Sequence, residues 1–71
     1  MKFLLKRSFA LAGHRTSVAL EEEFWAALVT LAQQRGLSLT ALVAEADAAR
    51  GTDRPLASAL RVMALRASRE P

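Results

Sequence analysis

In the seven residues from His14 to Leu20, charged, hydroxyl-bearing and apolar side chains alternate strictly. Arg15, Ser17 and Ala19 fall on one side, and Thr16, Val18 and Leu20 on the other. A period of two predicts a half-buried strand. Around it lies positive charge: Lys2, Lys6, Arg7 and Arg15 give residues 1–15 a net charge of +4 with no acid. Lys6 and Arg7 are therefore suited to phosphate, unless the basic start is only a solubilising terminus. The middle of the chain reverses the sign. Residues 16–53 hold Arg35 and Arg50 against Glu21, Glu22, Glu23, Glu45, Asp47 and Asp53, and residues 54–71 hold Arg54, Arg61, Arg66 and Arg69 against Glu70.

No catalytic constellation emerges, so the chain is not expected to be an enzyme. Glu21, Glu22 and Glu23 could pass for an acid–base cluster. Three glutamates just before an apolar periodic segment are better explained as the first turn of a helix, where negative charge complements the dipole. A single histidine and no cysteine argue against a zinc site and exclude disulfides, so no metal and no cofactor is expected. His14 reads as a partly exposed turn residue, with a phosphate contact as its alternative.

Several elements must position this strand. Seventy-one residues make one domain. A chain of that size buries only about 60% of its unfolded surface, and small domains compensate with disulfides, metals or oligomers. Oligomerisation is what remains. A lone strand leaves its backbone groups unpaired. The most economical partner for residues 14–20 is their own copy in a second subunit. The preceding residues leave two alternatives open. Ala12-Gly13-His14 could turn the chain back and make 7–11 a strand beside 15–20, or residues 1–13 form an arm that orders on a partner.

Everything downstream reads as helix. Phe24, Leu28, Leu31 and Ala32 share one face of a segment running from Glu21 to Gln34 or Arg35, widened by Trp25 and Val29. Trp25 is expected in a dimer core or against the last helix. Gly36 is the expected left-handed cap. Ser38 can cap a second helix, with Leu37 and Leu42 as a hydrophobic staple, and Arg50 and Gly51 close it. Asp53 can cap a third helix carrying Leu56, Ala59, Leu60 and Met63 on one stripe, with Val62 and Leu65 beside it. That helix is expected to dock near Trp25 and Val29. The chain shows no internal repeat and no low-complexity tract.

At HRTSVALEEEFWAALVTLAQQRGLSLTALV the chain resembles the ribbon-helix-helix (MetJ/Arc) superfamily of bacterial repressors, over roughly residues 14–50. The resemblance implies a mainly α fold: an intertwined homodimer whose two copies of 14–20 pair into an antiparallel ribbon, with an extra C-terminal helix. Val18, Leu20, Phe24, Leu28 and Leu42 would then form the dimer core. Arg15, Ser17 and Ala19 would face the DNA major groove, which admits a two-stranded ribbon. Ser38 and Leu39, at a helix start, would hold a phosphate beside Lys6 and Arg7. The outward trio is shorter than the family's usual residues. Pairing of residues 7–11 beside the ribbon would make it too wide for the groove.

The expected organisation is an arm or extra strand over 1–13, a core over 14–51, and a C-terminal helix and tail over 52–71. The expected function is a dimeric DNA-binding protein, a transcriptional repressor whose partners are itself and double-stranded DNA. The alternative is a protein-interaction module, such as the antitoxin of a toxin–antitoxin pair, using the C-terminal helix. Lys6 and Arg7 interrupt the first apolar run after three residues, so no secretory signal is expected. No run approaches the ~20 apolar residues of a membrane span, which points to the cytoplasm and no membrane partner.

Overall fold

A computed structural model describes residues 3–69. It contains β1 (Leu4–Leu11), β2 (His14–Glu21), α1 (Glu22–Gln34), α2 (Leu39–Ala49) and α3 (Leu56–Arg69). The two strands form one antiparallel sheet, with Leu11 opposite His14, Ser8 opposite Ser17 and Leu4 opposite Glu21. This corrects the expectation that residues 14–20 are a lone strand with no partner in their own chain. The partner of β2 is β1 of the same chain. The strand is also longer than the segment 7–11 that the turn suggested. Lys2 and Glu70 lie outside the described residues.

The turn explains the pairing. Ala12 and Gly13 both have positive φ, 49° and 84°. Two central residues in that region make a two-residue hairpin loop whose twist matches the strands. Gly13 adopts this freely. Ala12 carries a Cβ there at a cost of about 1 kcal/mol.

The hairpin has one dry face and one wet face. Phe9, Leu11, Val18 and Leu20 are buried on the inner side, against the helices. The facing expected for β2 holds: Val18 and Leu20 point in, with Thr16 half-buried beside them, while Arg15 and Ser17 are exposed. Below the sheet, Trp25, Leu28 and Ala32 of α1, Leu42, Val43 and Ala46 of α2, and Leu56, Leu60 and Ala64 of α3 complete one core. Val18, Leu20, Leu28 and Leu42 therefore reach full burial, or nearly so, within a single chain. Phe24 is only half-buried. Their burial needs no second subunit, which removes the packing argument for an obligate dimer.

Trp25 is buried within the single chain. Its ring lies 5.8 Å from the Phe9 ring, and its Nε1–H donates to the Leu5 carbonyl at 2.8 Å. β1 supplies these contacts. The packing of α3 on α1 brings the Arg61 guanidinium to 5.7 Å from the centre of the Phe24 ring.

The helix ends follow the local chemistry. α1 stops at Gly36 (φ 68°), where the Leu37 N–H donates to the Ala32 carbonyl and the Gly36 N–H to the Gln33 carbonyl. That pattern satisfies two orphan carbonyls and needs the left-handed conformation glycine supplies. The Ser38 hydroxyl accepts from the Ala41 N–H at 3.0 Å and caps α2. Leu37 is half-buried against the core to which Leu42 belongs. Asp53 is not the cap of α3. The helix begins at Leu56, and the Pro55 carbonyl accepts from Ala59. Proline suits that position because no N–H is needed there.

Candidate nucleic-acid interface

The outer face of the hairpin is built from alternate residues of both strands. Directly opposed residues share a face. Lys6 lies opposite Ala19, Ser8 opposite Ser17, and Ala10 opposite Arg15, with Leu4 and Glu21 at the open end. Lys6, Ser8, Ala10, Arg15 and Ser17 are exposed and Ala19 is half-buried. The two serine hydroxyls meet at 2.9 Å in the middle. The result is a flat, short-chained strip with a cation at each of two diagonal corners.

The acid on this face is Glu21, and it is occupied. The Nε–H and Nη2–H of Arg61 donate to its Oε1 at 3.1 and 2.9 Å. Its carboxyl is held below the usual range, first by a hydrogen bond at its own backbone and then by Arg61. The bond also fixes α3 to the end of β2. The strip therefore presents net positive charge to an approaching polyanion.

Lys6 and Arg7 do not act as a pair. Adjacent strand residues point to opposite faces. Lys6 joins Arg15 on the outer strip. Arg7 stands on the inner side opposite Val18, at the sheet margin, with its guanidinium 5.4 Å from the centre of the Trp25 ring. Ser38 is exposed at the start of α2 and Leu39 is half-buried. The hydroxyl of Ser38 is spent on the cap, while the first amides of the helix keep no partner inside it. His14 is exposed next to the turn.

Two features of the helical side went unread in the sequence. Arg35 makes a two-pronged bond to Glu45, both distances 2.8 Å, which ties the end of α1 to α2. That pair lowers the Glu45 carboxyl and raises the Arg35 guanidinium from their usual values. Beside it opens a cleft of about 560 Å³, floored by Leu31, Ala46 and Met63 and rimmed by Arg35, Arg50, Arg54 and Arg66. No hairpin residue lines it. Arginines so far apart in sequence signal nothing until α3 folds back.

Among the described residues, no group of three or more acidic, histidine or cysteine side chains could hold a metal ion. No helix among them is long and apolar enough to cross a membrane. No curated protein and no solved structure matches the chain. The family model of the ribbon-helix-helix domain matches residues 4–68, which takes in both strands and nearly all of α3. The chain belongs to the ribbon-helix-helix domain family.

Proposed function

We propose that this protein is a DNA-binding transcriptional repressor that inserts the outer face of its β1–β2 hairpin into the major groove and carries out no chemical step. The observation that carries this reading is the strip itself: a two-stranded ribbon with exposed Lys6 and Arg15, small residues between them, and its acid neutralised by Arg61. A major groove about 12 Å wide admits a ribbon of two strands. The hairpin already is one, so β1 beside β2 does not exclude the groove. Arg15 can donate two bonds to a guanine, Ser17 can bond either way, and Ala19 can touch a thymine methyl. The start of α2 at Ser38 and Leu39 would hold a phosphate, with Arg7 as a flanking cation.

Ribbon-helix-helix domains generally bind DNA and form dimers. The proposal includes a homodimer and a cytoplasmic setting. A second copy joined along the open edge of β2 would make a sheet of four strands, too wide for the groove. In the DNA-reading form the interface between copies therefore lies off the ribbon. An antitoxin-like role for α3 has less behind it, since Leu56, Leu60 and Ala64 are buried in the chain's own core.

Arg15→Ala should lower affinity for a preferred duplex by roughly 1–3 kcal/mol for each guanine it no longer bonds, and relax preference there. Arg7→Ala should weaken all duplexes alike and flatten the salt dependence, as removal of a phosphate-neutralising cation does. Fluorescence titrations of preferred and random duplexes at several salt concentrations check both. Equal losses on both duplexes with Arg15→Ala would mean the ribbon does not read bases.

A further inference from the structure

The cleft on the helical side has no part in the ribbon's work. Its floor is apolar: Leu31 of α1, Ala46 of α2 and Met63 of α3 meet there. Its volume of about 560 Å³ falls within the range of roughly 300–1,000 Å³ usual for small-molecule sites. Such sites are mostly apolar, with a few polar groups that fix the ligand's orientation.

Four arginines rim this floor, and two of them are already committed. Arg35 holds Glu45 by two bonds of 2.8 Å. Arg50 donates from Nε to Asp47 and from Nη1 to the Arg54 carbonyl, both at 2.8 Å. Arg54 and Arg66 are exposed, and neither has an ion-pair partner among the described residues. Arg66 shares the last turn of α3 with Arg69, and of the two only Arg66 lines the cleft. No acid among the described residues lines it. Asp53, next to Arg54 in the chain, lines a separate hollow. Four cations and two bonded acids leave the rim a net charge of +2.

Charge selects the occupant. A second copy docked here about a two-fold axis would use the same patch twice and set one arginine rim against another. Like charges so placed are strongly disfavoured. DNA phosphates suit the rim and leave the apolar floor unused. We infer that the cleft binds a small amphipathic carboxylate, with its apolar body on Leu31, Ala46 and Met63 and its head held by Arg54 and Arg66. A guanidinium meets a carboxylate with two parallel N–H bonds, a match that a neutral head group cannot make. The body adds burial, which a bare anion lacks. The hairpin takes no part, so this site stands apart from DNA reading.

An amide chemical-shift titration of the labelled full chain with octanoate tests this, with octanol and acetate as the two halves of the probe. One octanoate per chain is expected, with shifts at Leu31, Ala46, Met63 and Arg66 and a silent hairpin. Octanol and acetate should each bind about tenfold more weakly or worse. Arg54→Gln and Arg66→Gln should each lower octanoate affinity about tenfold, and Arg69→Gln should leave it unchanged. Both rim arginines are exposed, so these variants should keep the parent's circular dichroism. Octanol binding as tightly as octanoate would make the cleft a bare apolar hollow, and acetate doing so would make it a surface charge effect. Either result overturns the inference, as does no octanoate binding. It also falls if self-association at high protein concentration closes the cleft to octanoate, since a second copy is then the occupant. If duplex DNA displaces octanoate and shifts the same amides, the arginines are a phosphate contact and the inference falls.

Discussion

Leu20→Asp is expected to leave no folded protein at 25 °C, while Ser17→Asp melts within a few degrees of the parent. Leu20 is fully buried and lies across from Leu5. An aspartate there would be an uncompensated charge in an apolar core, a mechanism among the most destabilising that single substitutions produce. A cost above ~3 kcal/mol consumes most of the ~3–5 kcal/mol that a core of this size supplies. Ser17 is exposed, and its hydroxyl bond to Ser8 is on the surface. Its replacement should stay within about 0.5 kcal/mol, or roughly 2–4 °C. Val18→Asp is a weaker test, because Arg7 stands directly opposite and offers a cation. Thermal melts followed by circular dichroism decide. Equal damage from the two would contradict the assigned faces, and damage from Ser17→Asp with Leu20→Asp tolerated would mean that the faces are reversed, as a slip of one residue would make them.

Truncation after Gly51 should unfold or aggregate the chain. It removes Leu56, Leu60 and Ala64, which are buried against α1 and α2. Full burial of a leucine is worth about 1.5–3 kcal/mol, so two of them rival the whole stability expected here. It also removes the Arg61 bond that fastens the end of β2. The surface uncovered on α1 and α2 would be a contiguous apolar patch of the kind that promotes association. Tryptophan emission should shift to the red as Trp25 loses its cover by β1. A truncated chain that melts like the full one, with unchanged emission, would make α3 a detachable segment and move the antitoxin reading ahead of the repressor.

Much of the fold is legible in the sequence because its signals are local. Alternation marks β2, Gly36 and Ser38 punctuate the helices within a residue, and the stripe at Leu56, Leu60 and Met63 announces α3. The length of β1 is harder to read. Phe3, Leu4 and Leu5 are consecutive apolar residues with no period, and Leu4 and Leu5 stay exposed in the strand. Ala12 weakens the turn signal at Ala12-Gly13-His14, since a two-residue loop with both φ positive is usually marked by asparagine or aspartate before glycine. With the turn so weakly marked, β2 reads equally well as a solitary strand in need of a second chain. Arg15, Ser17 and Ala19 are legible as an outward set from alternation alone. Lys6 joining them, and Arg7 leaving for Trp25, follows only from the register with β2.

The proposed function depends on the outer face of the hairpin meeting DNA. Its most direct test is an amide chemical-shift titration of the labelled full chain with the duplex it selects, at low salt. The expected shifts concentrate at Lys6, Ser8, Ala10, Arg15, Ser17 and Ala19, with smaller ones at the start of α2, and the buried core unmoved. Shifts confined to α3 and the arginine-rimmed cleft, with the hairpin silent, would contradict it.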